Sequence, residues 1–392
     1  MLPSRPAALA SAIRARGRGV PVIVVDLDAL DANIATVQRR LDRTKRLRLV
    51  AKSLPCVPLL DHLRHATGTR DHMVFHAPHL APLLAAFPGD QLLVGKPLPV
   101  QAVEHVFEAA PALRHELATR VIWLVDTHAR LAQYSAFARR VGVTLRVAFE
   151  IEIGMRRGGF AAPYELDRAL AAVLTADSAV TFAGLMGYDA HVGAVPRMLQ
   201  DPADAHVEAC ARYAAFIARV RDRRLHAEAT IYNGAGSRTF HRHDRTSPLT
   251  ELSIGSAFVL PARFDGVERA DLVPAIYIAV PVLRAWNGTG LPGLAALSPI
   301  WPRLSSRFER SYFLYGGRWD AVFAWPPGLR ENTLYGGSYN QTLVNGPRSY
   351  PLDVDDYAML RPNDSEQVML QFEEVWAFRG ERLEARWPTL RR

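Results

Sequence analysis

The 392-residue chain has little cysteine and no long apolar run. Cys56 and Cys210 are too few for a disulfide framework, and their spacing is not that of a metal-binding cysteine cluster. No segment has the length and composition of a membrane span, and arginines interrupt the first residues where a secretory signal would need a continuous apolar stretch. We therefore expect a soluble cytoplasmic protein with no membrane partner.

The formal net charge is +8, yet the sequence lacks a basic tail and lacks a basic stripe interleaved with aromatic residues. Its arginines are spread along segments of helical periodicity, often as Arg-Arg pairs. A distribution of this kind is typical of a solvated surface, so we expect no binding to nucleic acid.

Lysine is scarce: Lys45, Lys52 and Lys96 are the only three among 47 Lys and Arg residues. Lys52 follows the apolar run LRLVA and precedes Ser53. Because arginine cannot form a Schiff base, a lysine kept at this place indicates a role for its amine. A surface lysine at the end of a strand is the alternative.

Short apolar runs alternate with segments of helical periodicity along most of the chain. After a first run at 21–27, the sequence predicts strands at 47–52, 72–76, 91–95, 120–126, 145–153, 181–188, 229–233 and 252–260. Eight strands joined mostly by helices predict a parallel (β/α)₈ barrel of the TIM type. A doubly wound open sheet would show the same alternation.

From about residue 265 the pattern changes to short β-rich runs with Gly and Pro turns, including 366–388, and these predict a C-terminal all-β domain. We therefore expect an N-terminal segment at 1–27 that packs with the β domain, a barrel domain at 28–264 and the β domain at 265–392.

Two Gly-Ser turns follow the last two predicted barrel strands. One contains Gly236 and Ser237, and the other contains Gly255 and Ser256. Backbone N–H groups and hydroxyls in such turns can hold an anion, and many barrels bind a phosphate beside their last two strands. The pair predicts a phosphate site, although Gly-rich turns are also common without a ligand.

Three further side chains lie just beyond predicted barrel strands. Arg157, in the turn GMRRGG, is a candidate for holding a substrate carboxylate through two parallel hydrogen bonds, or is a surface arginine. His191, in GYDAHVG with Tyr188 close by, is a candidate general acid or base, or a structural loop histidine.

In the order and spacing of five motifs, the chain resembles the fold-type III enzymes that use pyridoxal 5'-phosphate (PLP), which have an alanine racemase N-terminal-like barrel. Within them it resembles the D-threonine aldolase and D-serine dehydratase branch more than alanine racemase. The motifs are VVDLDALDANI, LRLVAKS, FEIEIGMRRGGF, FAGLMGYDAH and the paired turns YNGAGSRTF and TELSIGSAF. The resemblance covers roughly the whole chain.

The resemblance implies that Lys52 carries PLP as a Schiff base and that His191 is catalytic. It implies further contacts to the cofactor or substrate from Arg157, Tyr188, Gly236, Ser237, Ser253, Gly255 and Ser256. Ser253 corresponds to the position near the pyridine nitrogen, where a neutral residue implies a weakly protonated ring.

One segment departs from the family pattern. D-threonine aldolases and D-serine dehydratases share a C-terminal Pro-x-His-x-Cys or Pro-x-His-x-Asp segment that binds a divalent metal. Here the corresponding stretch reads RPNDSEQ at 361–367, with Asp364 and Glu366 in place of the usual ligands. Residues two apart on a strand face the same way, so the pair is a candidate site for Mg²⁺ or Mn²⁺. A solvent-facing acidic turn is the alternative.

The resemblance implies a PLP-dependent lyase acting on a β-hydroxy D-amino acid, by retro-aldol cleavage or by dehydration and deamination. An amino-acid racemase is the alternative enzyme, with Tyr315 or Tyr335 of another protomer as its second base. A PLP-binding protein without turnover is the third hypothesis. The resemblance also implies a homodimer in which the β domain of one chain covers the barrel mouth of the other.

Overall fold

A computed structural model of the chain describes residues 4–194, 198, 200–265, 271–289, 306–333, 338–349 and 351–391. The chain forms two compact units. The barrel unit is Ile34–Ala257 with Leu390–Arg392, and the sheet unit is Met1–Asn33 with Phe258–Thr389. The boundaries that we expected from the sequence lie after residues 27 and 264.

Within the described residues, the barrel unit contains eight parallel strands that close into a barrel in chain order. The strands are β2 Arg46–Val50, β3 Asp71–Val74, β4 Gln91–Val94, β5 Val121–Val125, β6 Leu145–Glu150, β7 Val180–Met186, β8 Ile231–Gly234 and β9 Glu251–Ile254. Pairing of β2 with β9 closes the barrel, with Arg46 opposite Glu251 and Leu49 opposite Ile254. The predicted TIM-type barrel is confirmed, and closure excludes the open sheet.

Apolar strands that are buried on both faces build this barrel. The strand β5, VIWLV, is buried along its whole length. Ile122 and Leu124 of β5 belong to one apolar cluster with Met73, Leu93 and Ala148 of other strands. Continuous apolar runs of this kind are typical of parallel strands, because helices cover the outer face of the barrel.

Helices follow most of the barrel strands. Their bounds are α2 Leu27–Arg40, α3 Val57–Thr67, α4 Leu80–Ala86, α5 Val100–Ala109, α6 Arg114–Thr119, α7 His128–Val141, α8 Pro163–Val173 and α9 Pro202–Asp222. The helix α7 shows why these segments are helical. Thr127 caps its first turn by accepting a hydrogen bond from the Arg130 amide, and Gly142 ends it with a φ of 66°. No helix in the described ranges has the length and apolar character that crossing a membrane requires.

The sheet unit contains, in its described part, a nine-stranded sheet with the order β13-β14-β11-β10-β1-β16-β17, and with β12 and β15 beside this path. The strands are β1 Val22–Asp26, β10 Ile276–Asn287, β11 Arg310–Tyr315, β12 Ala321–Trp325, β13 Arg330–Glu331, β14 Gln341–Gly346, β15 Tyr357–Pro362, β16 Glu374–Arg379 and β17 Arg382–Pro388. The strand β1 pairs antiparallel with β10 and parallel with β16. The predicted β domain following the barrel is confirmed.

Two segments differ from the predicted strands. The run at 252–260 is a strand only to Ile254, and a 3₁₀ turn at Ser256–Phe258 follows. The β-rich run at 366–388 begins with a short helix, α10 at Ser365–Met369, before β16 and β17. In both places, apolar residues that the sequence pattern assigns to a strand pack from helical turns instead.

Candidate active site

Lys52 lies in a 3₁₀ turn, Ala51–Ser53, directly after β2. It therefore follows the strand, whereas the sequence placed it at the strand's last position. Its Nζ atom lies 4.7 Å from the centroid of the Phe75 ring, which follows β3. A Cβ at Gly95, which follows β4, would overlap that ring, so the absence of a side chain gives Phe75 its place. Lys52 is thus held among residues that follow adjacent barrel strands, at the carboxyl end where barrel enzymes build their sites.

Glu150, the last residue of β6, is a buried carboxylate that the sequence analysis did not single out. Its Oε1 lies 3.7 Å from Lys96 Nζ and 3.6 Å from Arg157 Nη2. Burial raises the pKa of Glu150, and the positive charges of Lys96 and Arg157 oppose this shift. A second acidic group, Asp126, also acts on Glu150 and adds to the rise in its pKa.

The turn that carries Arg157 is organised by Glu152. The carboxylate of Glu152 accepts hydrogen bonds from the backbone amides of Gly154 and Arg157. The guanidinium of Arg157 lies 4.9 Å from the centroid of the Tyr188 ring. The structure therefore brings Arg157 and Tyr188 into contact. The resemblance had implied a contact with the cofactor or substrate for each of them.

The two Gly-Ser turns meet each other and the lysine turn. Ser237 Oγ accepts hydrogen bonds from the amides of Gly255 at 3.4 Å and Ala257 at 2.9 Å. Ser256 Oγ donates to Ser53 Oγ at 3.2 Å. Three buried serine hydroxyls, those of Ser53, Ser237 and Ser256, thus meet in adjacent turns, and hydroxyls of this kind can donate to an oxyanion.

The glycines of these turns allow close approach. A Cβ at Gly255 would lie 2.9 Å from the Cβ atoms of Val50 and Ser53, and a Cβ at Gly236 would lie 3.0 Å from the Tyr188 ring. Ala235 precedes Gly236 with a φ of 61°, a left-handed conformation that is unusual for a residue with a side chain. The backbone is therefore bent back toward the end of β8.

His191 lies in a 3₁₀ turn at Ala190–Gly193, after β7. A Cβ at Gly154 would lie 2.5 Å from His191 Nε2, so the imidazole packs directly on the turn that carries Arg157. His191 Nδ1 is buried, and no atom in the described part of the chain is hydrogen-bonded to it. The imidazole thus lies against the turn after β6 that carries Arg157.

Asp189, between Tyr188 and His191, was not assigned a role from the sequence. It is buried, and it accepts hydrogen bonds from Thr239 Oγ1 and His243 Nε2, both at 2.8 Å. Burial alone would raise the pKa of Asp189, but the bonds from His243 and Thr239 lower it below its usual value. An ionised Asp189 therefore links the turn after β7 to the loop after β8.

Ser253 lies in β9 with its hydroxyl engaged by Asn233. Its Oγ donates to Asn233 Oδ1 at 3.1 Å and accepts from Asn233 Nδ2 at 2.8 Å. Because its O–H is donated to Asn233, Ser253 has no hydrogen left for an unprotonated pyridine nitrogen in this arrangement, and its predicted contact with that nitrogen stays a prediction.

Asp364 and Glu366 lie in the sheet unit, and the premise that they share one face of a strand is wrong. Asp364 immediately precedes α10, and Glu366 lies in the first turn of that helix. Asp364 Oδ2 accepts a hydrogen bond from Arg263 Nη1 at 2.7 Å. The helix packs through the buried Val368 and Met369, while Asp364 stands at its N-cap position without a capping hydrogen bond from its side chain. The two carboxylates are therefore not the paired strand ligands that we predicted.

Comparison with known proteins agrees with this architecture. The family model described as alanine racemase, N-terminal domain, matches residues 25–261. A search of curated proteins finds no match.

Several solved structures are similar over almost the whole chain. D-threonine aldolase from Filomicrobium marinum has a TM-score of 0.72 and 20% identity, covering 94% of this chain and 96% of that chain. D-threo-3-hydroxyaspartate dehydratase from Delftia sp. HT23 has a TM-score of 0.70 and 17% identity, covering 95% and 97%. Alanine racemase from Bacillus anthracis has a TM-score of 0.69 and 13% identity, covering 94% and 97%.

At these identities the structural likeness shows the fold alone, and it includes both lyases and a racemase. The family model matches more than half of the chain. The chain therefore belongs to the alanine racemase N-terminal domain family, and it has the barrel-plus-sheet architecture of the fold-type III PLP enzymes.

Proposed function

We propose that the protein is a PLP-dependent lyase acting on a β-hydroxy D-amino acid, by retro-aldol cleavage or by dehydration and deamination. The observation that carries the proposal is the position of His191. Its imidazole packs against Gly154 in the turn that carries Arg157, and its buried Nδ1 has no hydrogen-bond partner within the described residues. A lyase of this kind needs an acid or base at the β-hydroxyl in addition to the group that acts at Cα.

The residues of the barrel mouth fit PLP. The meeting of the two Gly-Ser turns supplies serine hydroxyls for a phosphate, in a place where a Cβ at Gly255 would crowd Val50 and Ser53. Lys52 supplies the amine, and its turn touches the same serine cluster through Ser53. We propose that Gly236, Ser237, Gly255 and Ser256 surround the phosphate.

When bound, PLP supplies an electron sink that stabilises negative charge at the Cα of an amino acid. We assign two roles to the amine of Lys52, in the turn after β2: holding the cofactor and moving the proton at Cα. The Arg157 side chain faces Glu150 at 3.6 Å and is still 30% exposed, so we propose that its guanidinium also binds the substrate carboxylate. Stacking on Tyr188 fixes the orientation of the Arg157 guanidinium.

We assign activation of the β-hydroxyl to His191. A metal ion at Asp364 and Glu366 would have to replace the hydrogen bond from Arg263 to Asp364, so the structure favours the histidine. A mutant of the hydroxyaspartate dehydratase has been solved in a metal-free form, so the experiment on hydroxyl activation includes a chelator.

The alternative function is an amino-acid racemase, because an alanine racemase is among the structural neighbours. A racemase needs a second base on the opposite face of the cofactor. Of the two tyrosines proposed from the sequence, Tyr315 ends β11 and is 39% exposed. Tyr335 lies outside the described residues.

The lyase proposal predicts that His191→Asn lowers turnover of a β-hydroxy D-amino acid about 10²- to 10⁴-fold, the usual contribution of one general acid or base. The absorbance of bound PLP should persist, because the phosphate turns and Lys52 are unchanged. Steady-state release of aldehyde or keto acid from D-threonine, D-serine and D-3-hydroxyaspartate measures the effect. His65→Asn is the matched control, since the His65 side chain is 68% exposed on α3 and should leave turnover unchanged.

Two arms of this experiment separate the alternatives. Loss of α-deuterium with inversion, and no aldehyde or keto acid from any hydroxy amino acid, would establish the racemase. Turnover that falls equally in Asp364→Ala, in Glu366→Ala and in chelator, with recovery in Mg²⁺ or Mn²⁺, would move hydroxyl activation from His191 to a metal.

We also propose that the protein is a cytoplasmic homodimer, as in the family that it resembles. Light scattering at micromolar concentration is expected to give twice the mass of the 43.5 kDa chain. A monomer with full activity would contradict the dimer.

A further inference from the structure

A second cluster of potential ligands lies in the barrel unit, apart from the residues assigned to PLP. It consists of His206 and Cys210 on α9 and of His243, which follows β8. One ligand atom from each of the three lies within 4.8 Å of the others. His206 Nε2 is 3.7 Å from Cys210 Sγ, and the His206 and His243 ring centroids are 4.7 Å apart.

The geometry of this cluster matches a tetrahedral metal site. Residues four apart lie on one face of a helix, which brings His206 and Cys210 together on α9. In tetrahedral Zn²⁺ sites with Zn–N of about 2.0–2.1 Å and Zn–S of about 2.3 Å, the nitrogen and sulfur ligands are roughly 3.6 Å apart. The separation of 3.7 Å between His206 Nε2 and Cys210 Sγ is therefore already close to the required distance.

The hydrogen bonds of His243 orient it as a ligand. Its Nε2 lies 2.8 Å from the carboxylate of Asp189, which can only accept, so this nitrogen carries the proton. Its Nδ1 then has the lone pair, and it lies 2.8 Å from Ser247 Oγ. A carboxylate behind a histidine is the usual support of a metal ligand, because it fixes the ring and strengthens the donor nitrogen.

His206 lacks an ordinary hydrogen-bond partner in the described part of the chain. Its Nε2 contacts only the sulfur of Cys210, and its Nδ1 is buried with no partner. Beside the cluster lies a small cavity of about 10 Å³ whose lining includes Cys210, His243 and Asp189. That volume is about what one water molecule or ion needs. A buried imidazole nitrogen without a hydrogen-bond partner costs free energy of folding, and binding of a water molecule or a metal ion would remove this cost.

We propose that His206, Cys210 and His243 bind Zn²⁺, with the fourth position taken by water or by the Ser247 hydroxyl. The ligand set of two nitrogens and one sulfur selects a borderline cation such as Zn²⁺ over Mg²⁺ or Mn²⁺, which prefer oxygen.

Cysteine binds a metal ion as the thiolate. Binding of Zn²⁺ forms the metal–sulfur bond and releases the thiol proton to solvent.

The proposed site would join segments that also support the cofactor turns. His243 is bonded to Asp189, which follows Tyr188, and Asp189 is bonded to Thr239, which accepts from the Gly236 amide at 3.1 Å. A bound Zn²⁺ would therefore tie α9 to the turns after β7 and β8. We assign it a structural role.

The test uses the full chain with PLP bound, stripped with chelator and then titrated with Zn²⁺. We expect one Zn²⁺ per chain by elemental analysis. X-ray absorption at the zinc edge should show one sulfur at about 2.3 Å and nitrogen or oxygen neighbours at about 2.0–2.1 Å. Cys210→Ser and His206→Asn should each weaken binding more than about 100-fold, and Asp189→Asn about 10- to 100-fold, as for a residue that supports a ligand.

Controls separate this site from the rest of the molecule. Cys56→Ala should keep the zinc. Asp364→Ala should also keep it, because Asp364 belongs to the alternative site, which has only oxygen ligands. Zn²⁺ should also protect wild-type Cys210 from alkylation. Alkylation of the wild-type protein measures the reactivity of Cys210, because Cys56 is buried and its pKa is raised to about 12. Circular dichroism and the PLP spectrum verify that each variant is folded.

Wild-type protein that takes up no zinc, a zinc neighbour shell without sulfur, or wild-type affinity in a folded Cys210→Ser variant would each overturn the proposal. These readouts do not depend on catalysis. A protein that binds zinc as described but is a racemase would overturn only the lyase proposal. An active lyase that takes up no zinc would overturn only this inference.

Discussion

Replacing Lys52 by alanine is expected to lower turnover by about 10⁴-fold or more, whichever amino acid the wild type converts. This loss of rate is at or above the largest usual contribution of one general base, because Lys52 is proposed both to hold PLP and to move the proton at Cα. Steady-state kinetics with the preferred substrate measures this loss. In addition, borohydride reduction of the wild type and peptide mapping should place the phosphopyridoxyl label on Lys52.

The other two lysines provide the contrast. Lys45 is buried and donates to the carbonyl oxygens of Ser247 at 2.9 Å and Leu249 at 2.7 Å, so its amine is engaged in holding a loop. Lys96 faces Glu150. Lys96→Arg keeps that charge and should retain the label on Lys52. A label on Lys45 or Lys96, or no label, would be incompatible with the assignment of Lys52.

Replacing Glu251 by leucine is expected to lower the free energy of unfolding of the barrel unit by about 3–5 kcal/mol, the usual cost of leaving one member of a buried ion pair without its partner. Arg48 and Glu251 are both fully buried, and Glu251 accepts from Arg48 at 2.5 and 2.8 Å. Glu251 also accepts from Asn233 Nδ2 at 2.7 Å. For a unit of this size the cost corresponds to a fall in melting temperature of roughly 6–20 °C, measured by thermal unfolding in circular dichroism.

Two controls test whether charge burial causes the effect. Combining Arg48→Met with Glu251→Leu should recover part of the lost stability, because the fully buried guanidinium is removed together with its fully buried partner. Asp71, whose carboxylate lies 3.4 Å from Arg48, is 20% exposed and can be solvated in the double variant. Arg263→Met breaks an ion pair with Asp364 in which the Arg263 side chain is 57% exposed, and it should cost no more than about 1 kcal/mol. If Glu251→Leu were as mild as Arg263→Met, the buried pair would not be the stabilising contact that we infer.

The barrel strands could be predicted because each is an apolar run of limited length between segments of helical periodicity. Every predicted barrel strand overlaps an observed one, and β5 is the plainest example, with all five residues buried. The same pattern failed at 366–388, where apolar residues at Val368 and Met369 belong to α10. Short apolar runs have no period long enough to separate a helical turn from a strand.

The site was partly predictable for a related reason. In a parallel barrel all strands end at the same face, so polar residues placed just after strands meet there. This rule led to Lys52, Arg157, Tyr188 and His191 as well as to the Gly-Ser turns. It gave no reason to select Glu150, because an acidic residue at the end of a strand is as typical of a solvated position as of a buried one.

The sequence by itself determined the number and order of the barrel strands, the change to a β domain and the motifs that we propose to surround PLP, because these depend on local periodicity and on spacing along the chain. Only the tertiary structure decided that β2 pairs with β9, that Arg48 meets Glu251 across that closure, and that His243 faces His206 and Cys210. The physical reason is separation along the chain. Local patterns fix which face of an element is buried, but distant side chains become partners only when packing brings their elements together.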